Sequence, residues 1–157
     1  MTNLNKRLLI EQLDRKFSEL SSLKEIEVPA NGWIKAIRTA MNMSLVQLAK
    51  RLKKTSVSVR EIEERERNKS ITLKKLIEVA KALDLQFIYA FIPRDSSLEK
   101  MIEKRAQHVA REIVMRTSQT MKLENQENRE ERLRKAIEDR VEHIKQEIPK
   151  YLCTQVG

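Results

Sequence analysis

Apolar residues recur with a helical period along most of the chain, and the pattern is clearest between residues 44 and 63. Two apolar runs lie there, and each follows a hydroxyl residue, Ser44 for the first and Thr55 or Ser56 for the second. Hydroxyl groups at such positions cap the first turn of a helix. The runs consist of Leu45, Leu48, Ala49 and Leu52, and then of Val59 and Ile62. This spacing predicts two short helices joined by a tight turn.

Two helices joined by a turn of about three or four residues form the helix-turn-helix unit, whose second helix enters the major groove of DNA. Ala49 favours this arrangement, because its small side chain lies where the two helices would cross closely. Residues 44–63 therefore predict binding to double-stranded DNA.

Helical periodicity also predicts elements on both sides of this pair. An amphipathic helix is expected over residues 3–26, and we interpret it as a packing element, with dimer contact or partner docking as the alternative. Further helices are expected at residues 32–43 and 72–84, and two more between Pro93 and Pro149, separated by a polar break. The predicted regions are an N-terminal helix (1–28), a helix-turn-helix domain (29–84), a short segment (85–93) and a C-terminal helical region (94–157).

The short segment after the domain has a different composition. Residues 85–92 are apolar and rich in Phe, Tyr and Ile, and Pro93 follows them. This pattern favours a β-strand, with a fifth buried helix as the alternative. A lone strand leaves its backbone N–H and C=O groups unpaired. We therefore expect Phe87, Tyr89 and Phe91 to lie at an antiparallel seam with the same strand of a second copy, forming a homodimer.

The composition agrees with a helical protein of the reducing cytosol. Hydrophobic residues make up 40% of the chain and charged residues 35%, with two Gly and three Pro. Aromatic residues, at 4%, are too few for the base-stacking sheet of an RNA-recognition module. A single Cys excludes a disulfide framework and a cysteine zinc site. No stretch resembles a signal peptide or a membrane anchor, so we expect no membrane association.

Motifs for catalysis are absent from the sequence. It contains no Gly-rich phosphate loop, no paired His with a carboxylate at metal spacing, and no nucleophile motif. His108 and His143 are isolated, and we interpret both as solvated or packed side chains. We therefore expect no enzyme and no cofactor or metal.

The net charge of +9 is concentrated near the predicted helix pair. Residues 50–75 contain ten Lys and Arg against four Glu, whereas residues 1–28 contain five residues of each sign. A protein that binds a polyanion concentrates positive charge on the surface that contacts it. The alternative is a solvated basic face without a ligand, but the coincidence with the motif favours DNA binding.

Residues 32–84 resemble the Cro/C1-type (Xre) helix-turn-helix family. The resemblance rests on four helices in order and on family pattern residues at Leu48, Ala49, Val59, Ile62 and Glu63. The chain is thus predicted to be mainly α, with a lambda-repressor-like helical DNA-binding domain, one short β-strand, and flanking N- and C-terminal helices.

The resemblance also implies a structural ion pair and exposes two departures from the family. By analogy, Arg38 would pair with Glu63 in a partly buried bridge that ties the helices together. Lys53 stands where the family usually has the Gly of the turn, so it must adopt the helix-ending geometry at some strain. Leu45 stands where the family usually has Gln, so one customary backbone contact is missing.

The docking geometry of this family implies which residues contact DNA. Candidate readers of base edges, at the start of the second helix of the motif, are Ser56, Val57, Ser58, Arg60 and Glu61. Candidate phosphate contacts are Gln47, Lys54, Arg65, Arg67 and Lys69. A homodimer would read two half-sites of a palindromic operator about one helical turn apart.

A larger part of the chain, most of residues 1–130, is similar to the bacterial "mobile mystery protein A" family. The similarity rests on the segments GWIKAIR, SITLKKLIEVAKALD, QFIYAFIP and TMKLEN. Members are typically encoded beside a Fic-domain protein, an enzyme that transfers AMP from ATP. Fic enzymes are often restrained by a helix with the pattern (Ser/Thr)-x-x-x-Glu-(Gly/Asn), which Thr120, Glu124 and Asn125 fit.

This second resemblance implies a Fic-domain partner. Glu124 would pair with the arginine that otherwise holds the γ-phosphate of ATP in the Fic site, and the chain would act as antitoxin and autoregulator. The same segment is also the expected polar hinge between the two C-terminal helices. The alternative is therefore a stand-alone repressor whose C-terminal helices only dimerise.

Overall fold

The computed structural model describes residues 1–119 and 126–154, and this part of the chain contains seven α-helices and no β-strand. The helices are α1 (Asn3–Leu20), α2 (Trp33–Ala40), α3 (Leu45–Leu52), α4 (Ser56–Arg67), α5 (Leu73–Ala82), α6 (Leu98–Gln119) and α7 (Gln126–Glu147). Short 3-10 helices lie at Ser21–Glu25 and Lys150–Cys153. The chain forms two compact units, a middle unit (Glu25–Ala90) and a terminal unit (Met1–Lys24 with Phe91–Gly157).

The middle unit packs α2 to α5 around one apolar core. Leu48 of α3 and Val59 of α4 have no exposed surface, and Val79 of α5 is almost as deeply buried. Complete burial of a Val or Leu side chain stabilises a fold by about 1.5–3 kcal/mol. Ala49 of α3 belongs to the same core and is also buried. The apolar runs of residues 44–63 thus form the centre of this unit.

Hydroxyl caps set the start of α3 and α4. Ser44 and Gln47 form a capping box, in which the Gln47 amide donates to Ser44 Oγ at 3.1 Å and the Ser44 amide donates to Gln47 Oε1 at 2.8 Å. Thr55 caps α4 by accepting the Ser58 amide at 3.2 Å. Between the caps, Lys53 ends α3 in the left-handed conformation, with φ 54° and ψ 43°. The turn between the two helices is therefore fixed at both ends.

The predicted β-strand at residues 85–93 is wrong for the single chain. The segment has no regular secondary structure, so the alternative of a fifth helix is also wrong. A strand exists through ladder hydrogen bonds, and within the described ranges Gln86–Pro93 forms no backbone–backbone hydrogen bond. Apolar and aromatic composition favours a strand, but it cannot supply the partner that a strand requires.

The terminal unit joins the two ends of the chain. Glu103 near the start of α6 lies 3.5 Å from Lys145 near the end of α7, as in two antiparallel helices. Their core includes Ala106, Ala110 and Ile144, none of which is exposed. From α1, the carboxylate of Asp14 accepts the amides of Leu98 at 2.7 Å and Glu99 at 3.2 Å. An N-terminal helix therefore caps the start of α6.

Candidate nucleic-acid interface

A buried ion pair connects α2, α4 and the loop before α3. Arg38 donates from Nε and Nη2 to the two carboxylate oxygens of Glu63, at 2.5 and 3.2 Å, and from Nη1 to the carbonyl of Met43 at 2.9 Å. Glu63 is 6% exposed. The hydrogen bond that Arg38 donates to Glu63 raises the pKa of the Arg38 guanidinium above its ordinary value. Removal of one partner from such a pair costs about 3–5 kcal/mol, so this bridge holds α4 in place.

A second carboxylate of α4 caps the start of α2. Glu66 accepts the amide of Trp33 at 2.8 Å and that of Ile34 at 2.9 Å. Gly32, the N-cap of α2, provides no side-chain cap and has φ 85°. A Cβ atom at residue 32 would lie 2.7 Å from Glu66 Oε2. Sequence reasoning missed Glu66; the one signal was a helix start at a glycine, which leaves its amides without a local acceptor.

These contacts use one side of α4 and leave the base-reader candidates on its N-terminal half. Val57 is 65% exposed, and Arg60 and Glu61 are exposed as well. Neither Arg60 nor Glu61 forms an ion pair with any residue that the structure describes. Ser56 and Ser58 are half-buried, and Ser58 accepts a hydrogen bond from Thr55 within the cap of α4. Three of the five candidates are thus free to contact a ligand.

The phosphate candidates fall into two groups. The side chain of Gln47 is held in the capping box, and Arg67 donates to Glu64 at 2.5 Å. The other three are exposed and form no ion pair in the described ranges; they are Lys54, Arg65 and Lys69. Lys69 lies just after α4 with φ 59°, so left-handed lysines flank this helix on both sides.

The other candidate residues lie away from α4 in sequence. Tyr89 and Phe91 are 67% and 83% exposed, and the rings of Phe87 and Tyr89 stack with centroids 6.3 Å apart. The Fic-inhibitory residues Thr120, Glu124 and Asn125 lie outside the described residues. Across the ranges that the structure describes, no group of His, Cys, Asp and Glu is arranged to hold a metal, and no helix is long and apolar enough to span a membrane.

Comparison with known proteins gives one match. Residues 34–89 match a family model described as helix-turn-helix, of the Cro/C1 type. No curated protein and no solved structure matches the chain. The matched residues begin in α2 and extend just past α5, so they include Arg38, the turn and all of α4. The match supports a DNA-binding transcription regulator, whereas the similarity to the mobile mystery protein A family stays a prediction.

Proposed function

We propose that the helix-turn-helix domain at residues 34–89 represses transcription by binding an operator in double-stranded DNA, with α4 in the major groove. One observation carries this proposal: α4 is fixed on one side by buried contacts and exposes unpaired side chains on its N-terminal half. The fixed side contains Val59 and Glu63, and the exposed half contains Val57, Arg60 and Glu61. A helix held in this way presents its side chains in a constant geometry to base edges.

The exposed residues of α4 suit different base pairs. Val57 offers an apolar contact to a thymine methyl group, Arg60 can donate to a guanine or to a phosphate, and Glu61 can accept from the amino group of cytosine. Lys54, Arg65 and Lys69 supply positive charge for phosphates, which fix the register on DNA without reading its sequence.

The experiment compares two double variants of α4 that remove the same charges. Arg60→Ala with Glu61→Ala should remove discrimination between operator and random duplex, since each lost base contact costs about 1–3 kcal/mol. Glu64→Ala with Arg67→Ala removes one acid and one base from the other end of α4 and should keep that discrimination. Fluorescence anisotropy at constant salt measures both affinities, and circular dichroism checks the fold.

Two results would contradict the reader assignment. The first is full discrimination by the Arg60/Glu61 variant while its helical content is unchanged. The second is an equal loss of discrimination in the Glu64/Arg67 control, which would mean that α4 does not read bases through its N-terminal half.

A homodimer through residues 85–93 is part of the same proposal. It is supported by the exposed aromatic rings of Tyr89 and Phe91 and by a backbone whose groups are free for a ladder. Tyr89→Pro removes one backbone donor and should give a monomer by light scattering, whereas Tyr89→Phe keeps that donor and the ring and should stay dimeric. If the molecular mass of Tyr89→Pro stayed that of a dimer, the proposal of a dimer contact through residues 85–93 would be wrong.

A second role, inhibition of a Fic-domain partner, is supported by the sequence pattern at Thr120, Glu124 and Asn125. Glu124→Gly should release AMP transfer by a co-expressed Fic protein, because the carboxylate that would pair with the arginine of the γ-phosphate site would be lost. Glu127→Gly is the matched control and should keep the partner silent. If Glu124→Gly leaves the partner inactive, or if no complex forms, the chain is a repressor without this role.

A further inference from the structure

An open groove of about 590 Å³ lies between the C-terminal end of α3 and the outer face of α5. Its rim carries four cationic side chains, Arg51, Lys53, Lys74 and Lys81. None of the candidate base readers or phosphate contacts lines it. The groove is therefore a separate feature of the middle unit.

The positive charge of this groove is largely unbalanced. Lys53, Lys74 and Lys81 form no ion pair with any residue in the described ranges. The one carboxylate in the lining, Glu78, is bound at 2.7 Å by Lys75, whose hydrogen bond lowers the pKa of Glu78 below its ordinary value. Glu78 is thus hydrogen-bonded to Lys75, which lies outside the lining, and interacts with Lys74 only through its charge.

Arg51 fixes one end of the groove. Its Nη1 donates to the carbonyl of Ala82 at 3.1 Å, and the same atom lies 3.6 Å from an oxygen of the exposed Asp84. The guanidinium therefore bridges from α3 to the end of α5. This contact keeps the two walls of the groove at a set separation.

An apolar side chain is exposed between the lysines. Ile77 is 42% exposed, and it lies three residues after Lys74 and four before Lys81, so all three share one face of α5. Leu73, one turn earlier on α5, is also about half exposed. The face thus combines an apolar centre with positive charge on both sides.

We propose that this groove binds an acidic amphipathic helix of another protein. An apolar side chain of that helix packs on Ile77, and its carboxylates pair with Lys74 and Lys81, the arrangement by which grooves take up amphipathic helices. DNA fits less well, because a phosphate backbone makes no use of an exposed apolar centre. The proposal does not depend on operator binding, since it uses other side chains.

The probe is a synthetic helix of about 15 residues, the length at which an isolated helix becomes marginally stable, with Glu on one face and Leu on the other. A peptide of the same composition in scrambled order, without an apolar face, is the control. Titration of the full-length ¹⁵N-labelled protein should shift the amide signals of Lys74, Ile77 and Lys81 with the amphipathic peptide. The scrambled peptide should shift them much less at the same concentration.

Matched variants test the charges. Lys74→Gln with Lys81→Gln should weaken peptide binding by about fivefold, as expected for the loss of two exposed ion pairs. Lys35→Gln with Lys50→Gln removes the same charge from exposed positions outside the groove and should leave affinity unchanged. Ile77→Ala should weaken binding of the amphipathic peptide and have little effect on binding of the scrambled peptide. Thermal unfolding checks that each variant is folded.

Three outcomes would overturn the proposal. The amphipathic peptide could leave the groove signals unchanged, or the Lys35/Lys50 control could lose as much affinity as the groove variant. Alternatively, Lys74→Gln with Lys81→Gln could weaken binding of random duplex DNA as strongly as binding of peptide, which would make the groove a phosphate contact. Failure of operator binding in the Arg60/Glu61 variant would leave the peptide result unaffected, so the two proposals fail separately.

Discussion

Two carboxylates of α4 determine how this helix is held. Glu63 pairs with Arg38, and Glu66, three residues later, accepts two amides at the start of α2. These two glutamates in the C-terminal half of α4 therefore stabilise the domain. The resemblance to Cro/C1-type domains implied that Glu63 pairs with Arg38. The glycine at the start of α2 signals a missing cap, but no sequence pattern points to Glu66 as the acceptor, because it lies 33 and 32 residues from the amides it caps and periodicity reports local spacing alone.

Gly32→Ala should lower the free energy of unfolding by about 1–3 kcal/mol, the usual cost of a strained backbone position. The added Cβ would meet the Glu66 carboxylate, and φ 85° at this residue disfavours any side chain. Urea denaturation measures the change. Asn31→Ala, in the same turn, is the control and should have a much smaller effect. Equal stability of Gly32→Ala and the wild type would mean that Glu66 does not cap α2 in solution.

At the level of elements, the sequence predicted the helices well and the connections less well. The caps at Ser44 and Thr55 and the apolar period located α3 and α4 closely, because both signals depend on neighbouring residues. The aromatic segment at residues 85–93 was predicted as a strand because its composition suits one. Strand formation needs a partner from elsewhere, which composition cannot indicate.

Lys53, the departure from the family's glycine, allows a test of the turn. Lys53→Gly should raise the free energy of unfolding by about 1 kcal/mol, because a left-handed residue with a Cβ atom is strained by about that amount. Lys50→Gly, within the last turn of α3, should lower it by a similar amount, since glycine disfavours helix. Denaturation of both variants shows whether each substitution raises or lowers the free energy of unfolding. A loss of stability in Lys53→Gly would contradict a left-handed turn at this residue.

On the scale of the whole molecule, the grouping of helices differs from their order in the sequence. Helix α1 belongs to the same unit as α6 and α7, through Asp14 and the start of α6. An amphipathic period shows that α1 must pack, but it does not show against which helix. The sequence therefore predicted a packing role for α1 but not the helix against which it packs.

The salt dependence of DNA binding should report how many copies are bound. Three unpaired cations, Lys54, Arg65 and Lys69, predict a slope of log affinity against log salt of about −2.7 for one copy and about −5.4 for two. Anisotropy titrations of operator duplex over a range of salt concentrations give the slope. Tyr89→Pro should reduce it by about half. A slope near zero would contradict phosphate contacts by this basic surface.

The cap at Asp14 also sets an order of events on the ribosome. The hydrogen bond to its carboxylate cannot form until Leu98, 84 residues later in the chain, has been synthesised. At ordinary rates of synthesis that interval lasts roughly 4 to 17 seconds. Meanwhile the whole middle unit emerges and can begin to fold, while Leu13 and Phe17 of α1, which are partly covered in the folded protein, remain exposed. A message truncated soon after residue 90 would therefore yield the complete helix-turn-helix and a stranded N-terminal helix, a natural substrate for chaperones and proteases.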